Sequence, residues 1–507
     1  MPEHIRALIV ILVLATTFFA FAHQSANSLS TEGNFTRRRN LWFALTLAAF
    51  LTQNFWIYTA IAIPLLVSAR RHESNLSALF FFTLLALPMT SFPIPGMGLS
   101  NVLFNLSHVR LLELFILFPA FVALKRQGDT TPFGRTAPDK ALAAYLLLTA
   151  ALFLRETSLT NSLRETFYLF IDVFLPYFVI SRSLKNTQSF REALLSLVLA
   201  IMVLAPIAAF ESVKRWLLYS SWTGIPELEG DFTNYLARDG ILRALATAGQ
   251  PIALGYLMVV GIGLYLFIHG SIQQKLFRRI GAALLVIGLI APLSRGPWVG
   301  AAVLVVVFIL TGRYAIRRLI SLVLATIIVL PLLSILPGGE KIINLLPFIG
   351  ATETQNVDYR ERLITNSMIV IERNPWFGSV DFLETPEMQS MRQGQGIIDI
   401  VNSYIRVALE LGLVGLGLFV GFFVLILLNI IRTLRNIPDK HSEEYLLGRV
   451  LLSTLIAILV IIFTVSSITF IPIIYWSVAA LGLAYTQMVQ RDSATSRINP
   501  QGGLPEN

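Results

Sequence analysis

The chain has 507 residues, 55% of them hydrophobic and only 14% charged, with a formal net charge of +9 and no cysteine. Soluble domains carry roughly 25% charged residues, so this composition excludes a soluble protein and predicts an integral membrane one. The missing thiols exclude disulfide frameworks, thiolate metal sites and cysteine nucleophiles, and the positive charge sits largely in short loops, where it sets topology rather than recruiting nucleic acid.

The apolar runs have helical length, not the alternating pattern of an outer-membrane barrel. About fourteen spans are predicted. Those of the first part lie near 7–22, 41–67, 76–87, 111–124, 141–154, 167–180 and 193–210. The later ones lie near 251–268, 280–292, 298–310, 319–336, 404–431, 446–465 and 470–489. The first run lacks a clear cleavage site and reads as an uncleaved helix. The expected fold is an all-α polytopic membrane protein with a large extracytoplasmic loop. Its parts are N-terminal spans (1–210), a first outer loop (211–250), central spans (251–336), the large loop (337–403), C-terminal spans (404–490) and a disordered polar tail (491–507).

Lys and Arg in short loops set the sidedness. Loops around Lys275/Arg278/Arg279, Arg313/Arg317/Arg318 and Arg432/Arg435/Lys440 fall on one side by alternation, with Arg70/Arg71, Lys125/Arg126 and Arg182/Lys185/Arg191. That side is expected to be cytoplasmic and to hold both termini. Arg37, Arg38 and Arg39 then land outside, against the rule. Either that N-terminal region is topologically unusual or the span count is off near Gln53-Asn54. The two largest loops and the short turn 293–297 face outward.

Arg295 lies in LSRGPWVG (Leu293 to Gly300), where two spans meet. An arginine at a helix centre costs roughly 2.5–3.5 kcal/mol to insert, so one near a span end needs water or an anion. A guanidinium presents paired donors that match phosphate oxygens. A snorkelling interfacial anchor is the plainer alternative. Arg243 lies in RDGILRALATAGQPIALG (Arg238 to Gly255), among small residues that let backbone approach a ligand, with Arg238 as a second charge. An ordinary interfacial arginine is again the alternative.

In the long loop, Arg360 and Arg362 open a run in which Val357, Ile364, Met368 and Ile371 recur at helical spacing. This helix either lies on the membrane surface or offers a further phosphate or glycan contact. Asp381, Glu384, Glu387 and Asp399 are candidate general bases. Glu227, Glu229 and Asp231 form an acidic strip of the kind that is usually just solvated. There is no P-loop, no HExxH and no Asp-x-Asp pair, so ATP-driven transport and metal-dependent nucleotide-sugar transfer lack their recognisable parts. A donor with an activated lipid diphosphate needs cations, which arginines supply without a cofactor.

Taken in order, RALATAGQPIALG, LSRGPWVG, YRERL, NPWFGSV and NSYIRVALELGLVG resemble the O-antigen ligase and O-unit polymerase superfamily of bacterial envelopes, over residues 235–415. The resemblance implies a GT-C-like, metal-independent membrane glycosyltransferase that takes a glycan from polyprenyl diphosphate at the outer face of the inner membrane. It implies diphosphate binding by Arg243 and Arg295. It also implies a loop role for Arg362 ahead of the Pro-x-x-Gly turn (Pro375 to Gly378), and an acidic position at Glu410, inside a span. In ligases the last motif begins with a histidine implicated in activating the acceptor. Here Val401 stands in that place, before Asn402 and Ser403, and valine accepts no proton.

The expected function is therefore polymerisation of O-antigen or exopolysaccharide repeat units. Arg243, Arg295 and Asp399 are the catalytic candidates, and Arg238, Arg360, Arg362 and Asn402 the substrate contacts. The expected partners are a polyprenyl-diphosphate-linked donor, a glycan or lipid-linked acceptor, the bilayer, and chain-length or export proteins. Ligation to lipid A-core is one alternative, and transport of a lipid-linked oligosaccharide or an anion is another. A carrier needs polar residues near the membrane midplane, whereas these arginines mark outer span ends.

Overall fold

Apolar runs of this length satisfy their backbone groups in lipid only as helices, and the computed structural model is helical almost throughout. It describes residues 1–31, 33–96, 102–128, 130–155, 158–223, 236–238, 240–335, 354–393 and 396–498. Glu227, Glu229 and Asp231 lie outside these, as does the start of the large loop.

The first helices are α1 (Glu3–Leu29), α2 (Asn34–Thr52), α3 (Phe55–Arg71) and α4 (Leu76–Leu84). A hairpin of β1 (Ser91–Pro95) and β2 (Val102–Ser107) leads into α5 (His108–Leu112), α6 (Phe118–Arg126), α7 (Ala137–Phe153), α8 (Leu159–Tyr168) and α9 (Leu175–Ser183). Next come α10 (Thr187–Met202), α11 (Leu204–Lys214), α12 (Ser220–Thr223) and the small ladder β3 (Ala237–Arg238) with β4 (Ile241–Leu242). The central helices are α13 (Pro251–Ile268), α14 (Lys275–Ile290), α15 (Arg295–Leu310) and α16 (Ala315–Ile335). The large loop contains α17 (Thr354–Arg373) and α18 (Pro386–Gln389), and α19 (Ser403–Asn436), α20 (Glu443–Ile462) and α21 (Ile471–Ile498) close the chain.

Among the described residues, six helical stretches are long and apolar enough to cross a membrane: α1, α10 with α11, α13, α19, α20 and α21. This is an all-α, multi-pass membrane protein. Most of the other expected spans are also helical, but shorter, as in α3, α7, α14 and α15, or heavily charged at one end, as in α2. Helix α21 continues past Arg491 to Ile498, into the stretch expected to be disordered.

The N-terminal topology departs from expectation. The 41–67 run is two helices, not one. Gln53 takes a left-handed φ of 47°, and the Asn54 side chain caps α3 by accepting from the Trp56 and Ile57 amides. Asparagine suits this place because its short carbonyl reaches the orphan amides of a first turn. The fold-back carries Arg37 and Arg38 to the end that holds Arg70 and Arg71. There Arg37 donates to the His72 carbonyl at 2.7 Å and Arg38 pairs with Glu73 at 2.6 Å. The extra turn also separates the termini. Glu3 accepts from Trp216 Nε1 at 2.8 Å beside the first outer loop, while Arg491 donates to Thr131 at 3.2 Å at the opposite, basic end.

That basic end is held by buried ion pairs. Arg38 also meets Glu192 at 3.3 Å, and Arg182 pairs with Asp139 at 2.7 Å with both side chains fully buried. Asp139 also closes a capping box with Thr136 at the start of α7.

The large loop has a small core of its own. Leu363, Val370 and Ile371 of α17 meet Phe382, Met388 and Met391, and all of them pack on Leu409 in the first turns of α19. The expected apolar stripe is therefore split. Ile371 faces this core, whereas Ile364 and Met368 are exposed. The Val357 side chain lies outside the described residues.

Candidate active site at the end opposite the basic loops

Helix α14 ends at Ile290 and α15 begins at Arg295, so the chain reverses within four residues. Leu293 makes the reversal with a left-handed φ of 46°, a conformation that a branched side chain adopts only under tertiary constraint. The constraint is visible on both sides of the turn. Trp298 Nε1 donates back to the Leu289 carbonyl at 3.0 Å, and the Ala291 carbonyl accepts from Ser212 Oγ at 3.0 Å and the Ala244 amide at 3.3 Å. Arg295 is thus the first residue of α15, half-buried, at the positive end of the helix dipole.

The segment that carries Arg243 is pinned against this turn. Arg243 Nε donates to the Pro292 carbonyl at 3.1 Å. Its backbone is held from below by Glu211, a fully buried carboxylate that accepts from the amides of Leu218 (3.0 Å), Leu245 (3.0 Å) and Ala246 (2.8 Å). Thr247 Oγ1 adds a bond to the Leu85 carbonyl at 3.0 Å. A buried carboxylate that receives three main-chain N–H groups is a strong local clamp, because its removal would strand all three donors. The two arginines singled out in the sequence are therefore brought to one turn.

A third arginine approaches from the loop. The Thr464 side chain lies against Gly296, next to Arg295, and the Thr464 carbonyl accepts from Arg360 at 3.2 Å. Asp399 acts electrostatically on Arg360 and accepts a 2.5 Å bond from Ser466 Oγ. The Tyr359 hydroxyl donates to the Asp399 carbonyl at 2.9 Å. Ser403 Oγ bonds the Val465 carbonyl at 2.8 Å, and Ser467 joins it at 2.8 Å. The strip 464–467 between α20 and α21 thus gathers Arg360, Asp399 and the start of α19 beside the Arg295 turn.

The other candidates are placed differently. The Arg362 guanidinium reaches the Ser390 carbonyl at 3.4 Å, on the far side of α17 from Thr464. Asn402 is buried and caps α19, its Oδ1 accepting from the Tyr404 (2.9 Å) and Ile405 (3.1 Å) amides. That task belongs to the fold. Arg238 pairs through its backbone with Ile241, and its side chain lies outside the described residues. Glu387 is paired with Arg373, which holds its carboxyl below the usual range and makes it a poor proton acceptor. Val401 packs against the loop core. Among the described residues no group of three or more carboxylates or imidazoles is arranged to hold a metal ion.

The loop is locked onto α19 at a break. Gly412 has φ 69° and ψ −172°, which interrupts the helix. The turn from Asn374 to Gly378 fills the gap: the Leu413 amide donates to the Pro375 carbonyl (2.7 Å), Val414 to Trp376 (3.2 Å), and Ser379 to Leu409 (2.9 Å). A Cβ at Gly412 would lie 2.3 Å from the Trp376 carbonyl, and one at Gly378 2.4 Å from the Leu409 oxygen, so both positions require glycine. Arg155, at the end of α7, staples the joint by donating to the Gly378 carbonyl at 3.0 Å and the Glu410 carbonyl at 3.2 Å. Glu410, expected inside a span, instead pairs in the open with Arg406 at 2.8 Å, above the break.

Residues 280–420 match the family model Wzy_C, described as O-antigen ligase. They run from α14 through the Arg295 turn and the large loop to the first half of α19. Over these residues the chain is similar to the O-antigen ligase family. No curated protein matches the chain. Arg243 lies outside the matched residues and joins the ligase-family domain through its bond to Pro292. Sequence reasoning missed Glu211, Arg155 and the 464–467 strip. Only the last left a usable signal, a Ser/Thr-rich interruption (Thr464 to Thr469) between two apolar runs.

Proposed function

We propose that the protein polymerises polyprenyl-diphosphate-linked glycan repeat units at the outer face of the bacterial inner membrane, for O-antigen or exopolysaccharide synthesis. The observation that carries this is the approach of Arg243 to the Arg295 turn of the ligase-family domain, with Arg360 held next to it through Thr464, at the end of the bundle opposite the basic loops. Positive-inside orientation makes that end periplasmic.

In this reading Arg243 and Arg295 hold the donor diphosphate, helped by the N-terminus of α15. The acceptor hydroxyl attacks the anomeric carbon. A new glycosidic C–O bond forms as the bond to the diphosphate breaks, and polyprenyl diphosphate leaves with its charge spread over the arginines. The hydroxyl proton passes to a carboxylate, for which Asp399 is the best placed, its Oδ1 oriented by Ser466. The loop fixes the acceptor and keeps water from the donor. Polymerase is favoured over ligase because Val401 is turned into the loop core where ligases carry a histidine. Chain-length regulators and export proteins are the partners that such an activity would meet.

The test is Arg295→Ala in a strain whose polymer is read on a gel. Accumulation of single lipid-linked repeats supports polymerisation. Loss of attachment of preformed polymer to its acceptor assigns ligation instead. Unchanged polymer at normal protein levels removes the diphosphate role.

A further inference from the structure

Below the break at Gly412, α19 runs from Leu413 to Ile431 without a charged residue, and Arg432 and Arg435 close its inner end. Roughly 19 residues at about 1.5 Å each span about 28 Å, close to the ~30 Å hydrocarbon core of a bilayer. Gly412 therefore lies at the outer edge of the hydrocarbon. The Arg406–Glu410 pair, exposed one turn above, falls among headgroups and water, where such a pair is tolerated.

The loop turn is tied to this level by backbone bonds, since the Leu413 and Val414 amides donate to the Pro375 and Trp376 carbonyls. Trp376 is 66% exposed and Phe377 49%, and of the loop's exposed apolar side chains these two sit on the turn bonded to Leu413 and Val414. They continue an apolar face formed by Leu413 (47% exposed) and Val414 (36%) on α19, and Leu154 (66%) at the end of α7 lies beside the Arg155 staple. On a membrane-crossing helix that face meets lipid. Tryptophan, with an apolar ring and one N–H donor, is the side chain best suited to the boundary where that face ends.

We infer that the Trp376–Phe377 turn is seated in the outer leaflet at the level of the headgroups, so that the large loop is a membrane-anchored cap. The occupant of this apolar patch is lipid, because the patch continues the lipid-facing surface of α19 at the depth where that surface meets water. The bilayer surface then serves as a plane of reference for the loop residues Arg360 and Asp399. This inference rests on the membrane character of the chain and not on the donor assigned above.

The natural protein has no cysteine, so Trp376→Cys and, separately, Phe377→Cys each create one labelling site for bimane. Labelled protein is placed in phosphatidylethanolamine/phosphatidylglycerol vesicles and quenched by nitroxide lipids labelled near the headgroup or deep in the chain, and by aqueous iodide. The expected result is quenching about two-fold or more stronger from the shallow lipid than from the deep lipid or iodide. As a check on unlabelled protein, Trp376→Phe should remove part of the tryptophan emission that brominated lipid quenches. Strong iodide quenching with no lipid effect at either position overturns the inference. So does protection from iodide that appears only at high protein density, which assigns the face to a second copy, or only with added soluble glycan, which assigns it to the acceptor.

Discussion

At the basic end of the bundle, Arg38 and Arg182 are buried and face carboxylates, Glu73 with Glu192 in one case and Asp139 in the other. At the opposite end, the bonds described for Arg243, Arg360 and Arg155 run to main-chain carbonyls, those of Pro292, Thr464, Gly378 and Glu410. A carboxylate forms an ion pair and cancels the guanidinium charge locally. A carbonyl only orients the guanidinium. Buried ion pairs thus close the fold at one end, while at the other these three arginines are oriented by main-chain oxygens beside the more exposed pairs Arg373–Glu387 and Arg406–Glu410, and composition alone does not separate these settings.

The sharpest way to break this contrast is to remove one arginine from each end. Arg182→Met strands Asp139 in a fully buried position and should lower stability by about 3–5 kcal/mol, seen as a lower melting temperature in detergent and reduced protein in membranes. Pairing it with Asp139→Leu should recover much of the loss. Arg295→Ala should do the reverse. The protein should melt normally, while turnover of a polyprenyl-diphosphate oligosaccharide falls by about 10²–10³-fold, the usual cost of losing one donor to developing negative charge. Arg295→Lys retains the charge but not the paired fork, and should lie in between. If Arg295→Ala instead unfolds the protein and leaves the specific activity of the surviving fraction intact, the two ends do not differ in kind.

Some of this was legible in the chain. The helical class followed from composition and span length, and the Arg243 and Arg295 motifs were readable because small residues and a proline surround an arginine at a span boundary. Glu211 was invisible as a clamp, because its partners are backbone amides near in space but up to 35 residues away in sequence, and amides leave no mark on composition. Arg155 was missed for the same reason, its acceptors being carbonyls over 220 residues away. The fold-back at Gln53-Asn54 left only a three-residue polar interruption, Thr52 to Asn54, enough to question the span count but not to fix a reversal. What reverses the chain there is a left-handed residue and a side-chain cap, not a polar loop. The stripe on α17 marked the helix Thr354–Arg373 correctly, but apolar spacing predicts a face and not which of its residues protein covers.

At the end opposite the basic loops, the joint between loop and helix separates cap docking from charge placement. Gly412→Ala forces a side chain onto the Trp376 carbonyl and into a left-handed conformation, and should cost about 1–3 kcal/mol of local strain. The expected outcome is faster proteolysis within residues 354–402 and a turnover loss of roughly tenfold or more, with the transmembrane part intact. Proteolysis unchanged from wild type would mean that the cap is held elsewhere.

The smallest effect is expected at Asn402, and it tests whether a residue chosen from a substrate-binding motif acts through the fold alone. Its Oδ1 satisfies two amides at the start of α19, so Asn402→Ala should cost about 1 kcal/mol, the usual value of a helix cap, and shift the melting temperature slightly. Asn402→Asp and Asn402→Ser keep an acceptor in the same place and should restore the loss. Activity per folded molecule should stay within about two-fold in all three, because an amide oxygen already shared by two N–H groups has little left to offer a sugar. A rise in KM that Asp or Ser fails to correct would show instead that the amide also reaches the glycan, and Asn402 would then join Arg360 and Asp399 at the site.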